Sequence, residues 1–156
     1  MSALRFSSRV VALTIALAVS GVSAGAHAEL GGVMPAEADP AADTAAPRTL
    51  LNGALRVRTL TDAGHTTINE YATSTGQIIA YAWEGPTMPD LLTLLGKYAD
   101  SYRTGAVTTA AHRGLHASRI ARPDVVVESG GPMRGYIGRA WLPAALPPGV
   151  TADDLQ

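Results

Sequence analysis

Three extended segments separated by turn-forming tetrapeptides occupy the stretch from Leu50 to Glu84, and they restrict the fold more than any other feature of the chain. Leu55 and Val57 alternate with Arg56 and Arg58, the period of a half-buried strand. Thr61-Asp62-Ala63-Gly64 has turn chemistry, and a second extended run follows from His65 to Ala72. Thr73-Ser74-Thr75-Gly76 punctuates again before Gln77 to Glu84, rich in β-branched and aromatic residues. Strands joined by such short loops predict an antiparallel meander.

A helix is expected next. Thr87 stands as the capping residue, Pro89 lies in the first turn, and Asp90 follows the cap by three residues. Leu91, Leu92, Leu94, Leu95, Tyr98, Ala99 and Tyr102 then form one broad apolar stripe at helical spacing, with Gly105 as its stop. Ala106 to Arg122 has weak patterning and reads as a long mobile loop. Asp124 to Glu128 and Met133 to Leu142 form a second hairpin around Ser129-Gly130-Gly131-Pro132, in which Gly135 and Gly138 mark bulges or close approaches. Thr151-Ala152-Asp153-Asp154 is a capping box with Val150 as its staple. The expected fold is α+β: an antiparallel sheet of about five strands, in the order β-β-β-α-β-β, with one amphipathic helix packed on one face.

At the amino terminus, Arg5 and Arg9 precede the apolar run from Val10 to Val19 and a small-residue segment ending Ala26-His27-Ala28. That grammar predicts a signal peptide over 1–28, cleaved after Ala28, because about ten strongly apolar residues fall short of the ~20 that span a bilayer. Export to the periplasm or the medium follows, without stable membrane insertion after cleavage. The remaining 128 residues carry ten basic against thirteen acidic side chains. Residues 29–49 hold Pro35, Pro40 and Pro47 among Ala and acids and read as a flexible lead-in, of which only Leu30 to Met34 could dock locally. A single domain follows over 50–156.

The chain has no Cys, which excludes disulfides, thiolate metal sites and a cysteine nucleophile. Its near-neutral charge argues against nucleic acid as a partner. Leu30-Gly31-Gly32, the stretch Tyr81-Ala82-Trp83-Glu84-Gly85-Pro86-Thr87-Met88-Pro89-Asp90-Leu91, Ser129-Gly130-Gly131 and Gly138-Arg139-Ala140-Trp141-Leu142-Pro143 occur in order. Together they resemble a proteobacterial family of small exported proteins catalogued as domain of unknown function 2844. The resemblance implies an exported protein without an established activity. It carries over no catalytic residue, cofactor or metal.

Candidate sites must therefore come from the residues themselves. His112 and His116 could share a helix face, but Gly114 separates them, no acid completes a ligand set, and Arg113 and Arg119 would repel a cation; no metal is expected. Arg103, Arg113, Arg119 and Arg122 lie in an acid-free stretch that could collect anions or be covered by the acidic lead-in. Tyr81 and Trp83 share a face of the third strand and, with Ile79, can cover the helix stripe. Trp83 and Trp141 are the aromatic candidates for a groove, and Arg113, Arg119 and Arg122 the charged ones, for an unknown protein or anionic polymer of the cell envelope. Ser129 lacks the strand-turn-helix elbow of a hydrolase. Glu70, Glu84 and Glu128 could serve a hydrolase only if they converge. No cofactor fingerprint is present. The expected function is a non-catalytic binding module; the alternatives are an inhibitor or folding helper of a secreted enzyme and a carboxylate-dependent hydrolase.

Overall fold

The computed structural model describes residues 28–35, 45–109 and 117–156. One antiparallel sheet organises them. Its strands are β1 (Arg48–Leu50), β2 (Leu55–Thr61), β3 (Thr67–Thr73), β4 (Ile78–Gly85), β5 (Ala117–Ala121), β6 (Val126–Gly130) and β7 (Tyr136–Trp141). They lie in the order β1-β2-β3-β4-β7-β6-β5. The α+β class holds, with seven strands instead of about five. The two additions, β1 and β5, are the sheet edges. Each has one neighbour to pack against and so needs little of the alternation that marks a strand in sequence.

The helical segment splits into α1 (Leu91–Leu95) and α2 (Ala99–Thr109), with a 3-10 turn at Gly96–Tyr98 between them. Gly96 takes φ +51, so the continuous helix expected here is broken where glycine permits a left-handed backbone. Asp90, not Thr87, caps α1: its carboxylate accepts from the Leu92 and Thr93 N–H groups and the Thr93 hydroxyl. Those bonds, the Thr93 hydroxyl foremost, hold its pKa below the ordinary aspartate value. Thr87 instead ties the β4 end to Thr66 and Gly64. Gly105 does not stop the helix. It lies within α2 because a Cβ there would fall 2.5 Å from Ile120 of β5. The long loop expected over 106–122 therefore holds the end of α2 and all of β5; residues 110–116 lie outside the described residues.

Directly opposed residues in an antiparallel pair share a face, so the register sorts the core into two layers. Ile68, Tyr81, Trp83, Val127 and Ala140 meet Leu91 and Leu95 on the first face. Leu55, Val57, Tyr71, Ala80, Val126 and Trp141 form the second, covered by Val150 and Leu155 of the carboxy-terminal segment. A register shift opposite Tyr71 and Ala72 leaves Ile79 as the extra residue of β4. Ile79 consequently belongs to the second layer and not beneath the helix, as its spacing from Tyr81 and Trp83 had suggested.

Leu30 is fully buried in the first layer, and Met34 nearly so. Leu30 N–H donates to Leu94 O, Gly31 N–H to Ile78 O, and Ile78 N–H returns to Gly32 O. Residues 1–27 and 36–44, which include most of the leader and the centre of the lead-in, lie outside the described residues.

Candidate binding trough

Cross-strand pairing assembles one row of side chains across the second face: Thr59, Asn69, Ala82, Arg139, Glu128 and Arg119. A more apolar row beside it, Val57, Tyr71, Ala80, Trp141 and Val126, lies beneath the carboxy-terminal segment. On the other side lies an exposed row of Thr67, Glu84 and Ile137. The covering segment ends over the polar row, and the uncovered remainder of the sheet is a trough of about 980 Å³.

Its polar groups are held by one another. Glu128 accepts from Arg119 Nη1 at 2.5 Å and from Arg139 Nε at 2.8 Å. Arg139 reaches on to Ala152 O at 2.5 Å and Asp153 Oδ1 at 3.3 Å. Asn69 Nδ2 donates to Gln156 O at 3.1 Å and its Oδ1 accepts from Thr59 Oγ1; Tyr71 also donates to Gln156 O. The segment is positioned by its own chemistry. Asp154 Oδ2 accepts from both the N–H and the hydroxyl of Thr151, the box read in the sequence, and its pKa is lowered by those bonds.

The sequence candidates scatter over this frame. Trp141 is buried in the second layer, where the Arg139 and Arg119 guanidinium groups lie 5.4 and 5.9 Å from its ring centroid. Trp83 is buried on the first face. A Cβ on Gly138 would fall 2.3 Å from Trp83 Cζ2, so the glycine admits the indole beneath the trough floor. Trp83 Nε1 has no hydrogen-bond partner among the described residues. Arg119 stands at the trough margin, 62 % exposed. The Arg122 side chain instead packs towards Gly105 of α2 on the first face. Arg113, His112 and His116 lie outside the described residues. Arg119 and Arg122 thus do not form one basic patch.

The three glutamates do not converge. Glu70 is on the first face, paired with Arg58 at 2.9 Å and accepting from Tyr81 at 3.2 Å. Burial keeps its pKa above the ordinary glutamate value, outweighing the attraction of Arg58. Glu84 and Glu128 share the second face, but both oxygens of Glu128 are engaged by arginines. Among the described residues no group of three or more His, Asp or Glu could hold a metal ion, and no helix is long and apolar enough to cross a membrane.

Asn69, Arg139 and Gln156 escaped the sequence reading. The cross-strand register, which depends on β4 pairing with β7, brings Asn69 and Arg139 into one row, and Gln156 reaches Asn69 from the carboxy-terminal segment. A family model described as a protein of unknown function, DUF2844, matches residues 26–155. No curated protein and no solved structure matches.

Proposed function

The chain belongs to the DUF2844 family, which brings no assigned activity with it, and we propose that it is an exported, non-catalytic module that binds an extended segment of a partner protein in the trough. The observation that carries this reading is the state of the trough's polar row. Its two arginines are fixed by the Glu128 carboxylate and its Asn69 amide by Thr59 and Gln156, so the surface is ordered before a ligand arrives and little side-chain entropy is lost on binding. Beside that row, Ile137 offers exposed apolar contact while Thr67 and Glu84 offer exposed polar groups, a mixture suited to a peptide with alternating side chains. An anionic polymer fits less well, because Glu84 and Glu128 line the same trough as Arg119 and Arg139. A carboxylate hydrolase fits least, with Glu70 across the sheet and Glu128 doubly paired. Export rests on the leader grammar of residues 1–28.

A photo-crosslinking amino acid at Ile137, in the trough, and another at Val107, exposed on α2, provide the test in the native envelope. One protein should crosslink from position 137 and not from 107, and a Thr67→Trp variant that melts like the parent should abolish that adduct. Equal labelling from both positions, or an adduct indifferent to Thr67→Trp, would remove the trough as the binding site.

A further inference from the structure

We propose that hydrolysis of the Ala28–Glu29 bond creates an ammonium group that docks against Tyr81 and Glu70, so that removal of the leader adds a cation beside the buried Arg58–Glu70 pair at the margin of the first face. The inference rests on the export reading and adds a structural role for the new amino terminus. In the reaction water adds across the peptide bond under a signal-peptide endopeptidase. Ala28 leaves with the carboxylate, and Glu29 keeps the amine, which takes up a proton.

The Tyr81 hydroxyl lies 2.5 Å from Ala28 O and 3.2 Å from Glu70 Oε2, so its single proton has two acceptors, of which Ala28 O is nearer. Cleavage removes the nearer one. The amide nitrogen of Glu29 is about 2.3 Å from that oxygen by peptide geometry, which places it within about 5 Å of the Tyr81 hydroxyl. It cannot wander far, because Leu30 is fully buried and the N–H groups of Leu30 and Gly31 donate to Leu94 and Ile78. Once Ala28 has gone, the Tyr81 hydroxyl donates its hydrogen bond to Glu70, and its oxygen is free to accept from the ammonium.

The charges around the new amine are of both signs. Glu70 and Arg58 are 1 % and 8 % exposed and neutralise each other. Glu29 adds a carboxylate, which lies against the α1–α2 break at Gly96. With Lys97, whose stem approaches Gly31, the charged groups sum to zero in the uncleaved chain, so the ammonium gains from its closeness to the Glu70 and Glu29 carboxylates and not from a net negative charge. The groups facing the amine are its own Glu29 carboxylate, Arg58 from β2, Glu70 from β3, Tyr81 from β4, and Lys97 and Tyr98, which approach Gly31. An amine gaining carboxylate partners has a folded pKa above its unfolded value of roughly 8. Its stabilisation is therefore fully present below that value and is lost as pH rises through the folded one.

The full-length gene is expressed in an exporting bacterial host, and the intact mass of the exported product gives its amino terminus. Melting temperature is then compared for three forms: one starting at Glu29, one starting at Ala28, and the Glu29 form acetylated on its amine. Expected are a product starting at Glu29 and, at pH 7, a melting temperature for the free-amine form about 3 °C or more above both others. That gap should close at high pH and in Tyr81→Phe. A product starting at Glu29 whose three forms melt within about 1 °C of each other would overturn the docked amine and leave export standing. A product starting elsewhere would overturn cleavage at this bond, whatever the melting temperatures.

Discussion

The two faces of the sheet each carry an arginine–glutamate pair, and the pairs do different work because their surroundings differ. Arg58 and Glu70 are almost wholly enclosed between the sheet, Tyr81 and the docked Leu30 segment. Arg119, Glu128, Arg139 and Asp153 form a chain of pairs that runs from the trough margin out to solvent. Removing one partner from the enclosed pair leaves a charge with no water to stabilise it, whereas on the open face water replaces the lost partner. The same side-chain chemistry is therefore a folding constraint on one face and, on the other, a hydrated network whose loss the fold can tolerate.

The sharpest way to break this contrast is Glu70→Gln, which leaves Arg58 buried and uncompensated. A loss of about 3–5 kcal/mol in denaturant unfolding is expected, and the double variant Arg58→Met/Glu70→Leu should recover most of it by exchanging the pair for apolar volume. A loss below about 1 kcal/mol would mean that the enclosed pair behaves like a surface one. The pair also has a pH signature. Burial raises the folded pKa of Glu70 above its unfolded value, so the folded chain binds this proton more tightly. Between those two values stability falls as pH rises, and the difference in unfolding free energy between wild type and the double variant should carry that slope.

Packing provides the next tier. Leu155 is 1 % exposed and anchors the segment that covers the apolar row of the second face. Leu155→Ala should cost about 2–3 kcal/mol, the lower part of the range for such a truncation, because a terminal segment can relax around the gap. Amide exchange would show whether protection is lost first beside the trough, as a segment held by Leu155 requires, or across the whole sheet. Gly138→Ala probes the sheet between its two layers. The added methyl would collide with the Trp83 ring, and a cost of about 1–3 kcal/mol from overpacking is expected in the same assay.

How legible each region was in the sequence follows from how local its determinants are. The meander β2-β3-β4 could be read directly, since each strand is joined to the next by a short turn such as the one in which Asp62 Oδ1 accepts from Gly64 and Thr66 N–H. So could the capping box at Thr151, whose bonds span three residues. The edge strand β5 was hidden although only residues 122–125 join it to β6, because Ile120 is its one buried residue and the strand shows no apolar alternation. Gly105 looked like a helix stop because a glycine that ends a helix and one that admits a neighbouring strand are the same letter. The trough was least legible of all. It requires β7 to lie against β4, which brings Arg139 beside Ala82 and joins Asn69 to Glu128 across four strands. Trp83 and Trp141 drew attention as large aromatics near strand ends, yet the sheet buries them on opposite faces.

The smallest expected effect on stability is also the one that tests the open face most directly. Glu128→Gln removes the charge that holds both Arg119 and Arg139, but these groups are partly hydrated, Arg139 retains Asp153 and Ala152 O, and both guanidinium groups stay near Trp141. A loss of at most about 1 kcal/mol is expected, shrinking further as salt is added. Binding should respond differently. Two arginines freed from a shared carboxylate gain rotamers and an uncompensated positive field, so the ordered surface proposed for a partner segment would loosen and crosslinking from position 137 should fall although the fold is intact. If the variant instead lost 3 kcal/mol or more, the open face would be as structurally committed as the enclosed one, and the division of labour between the two faces would fail.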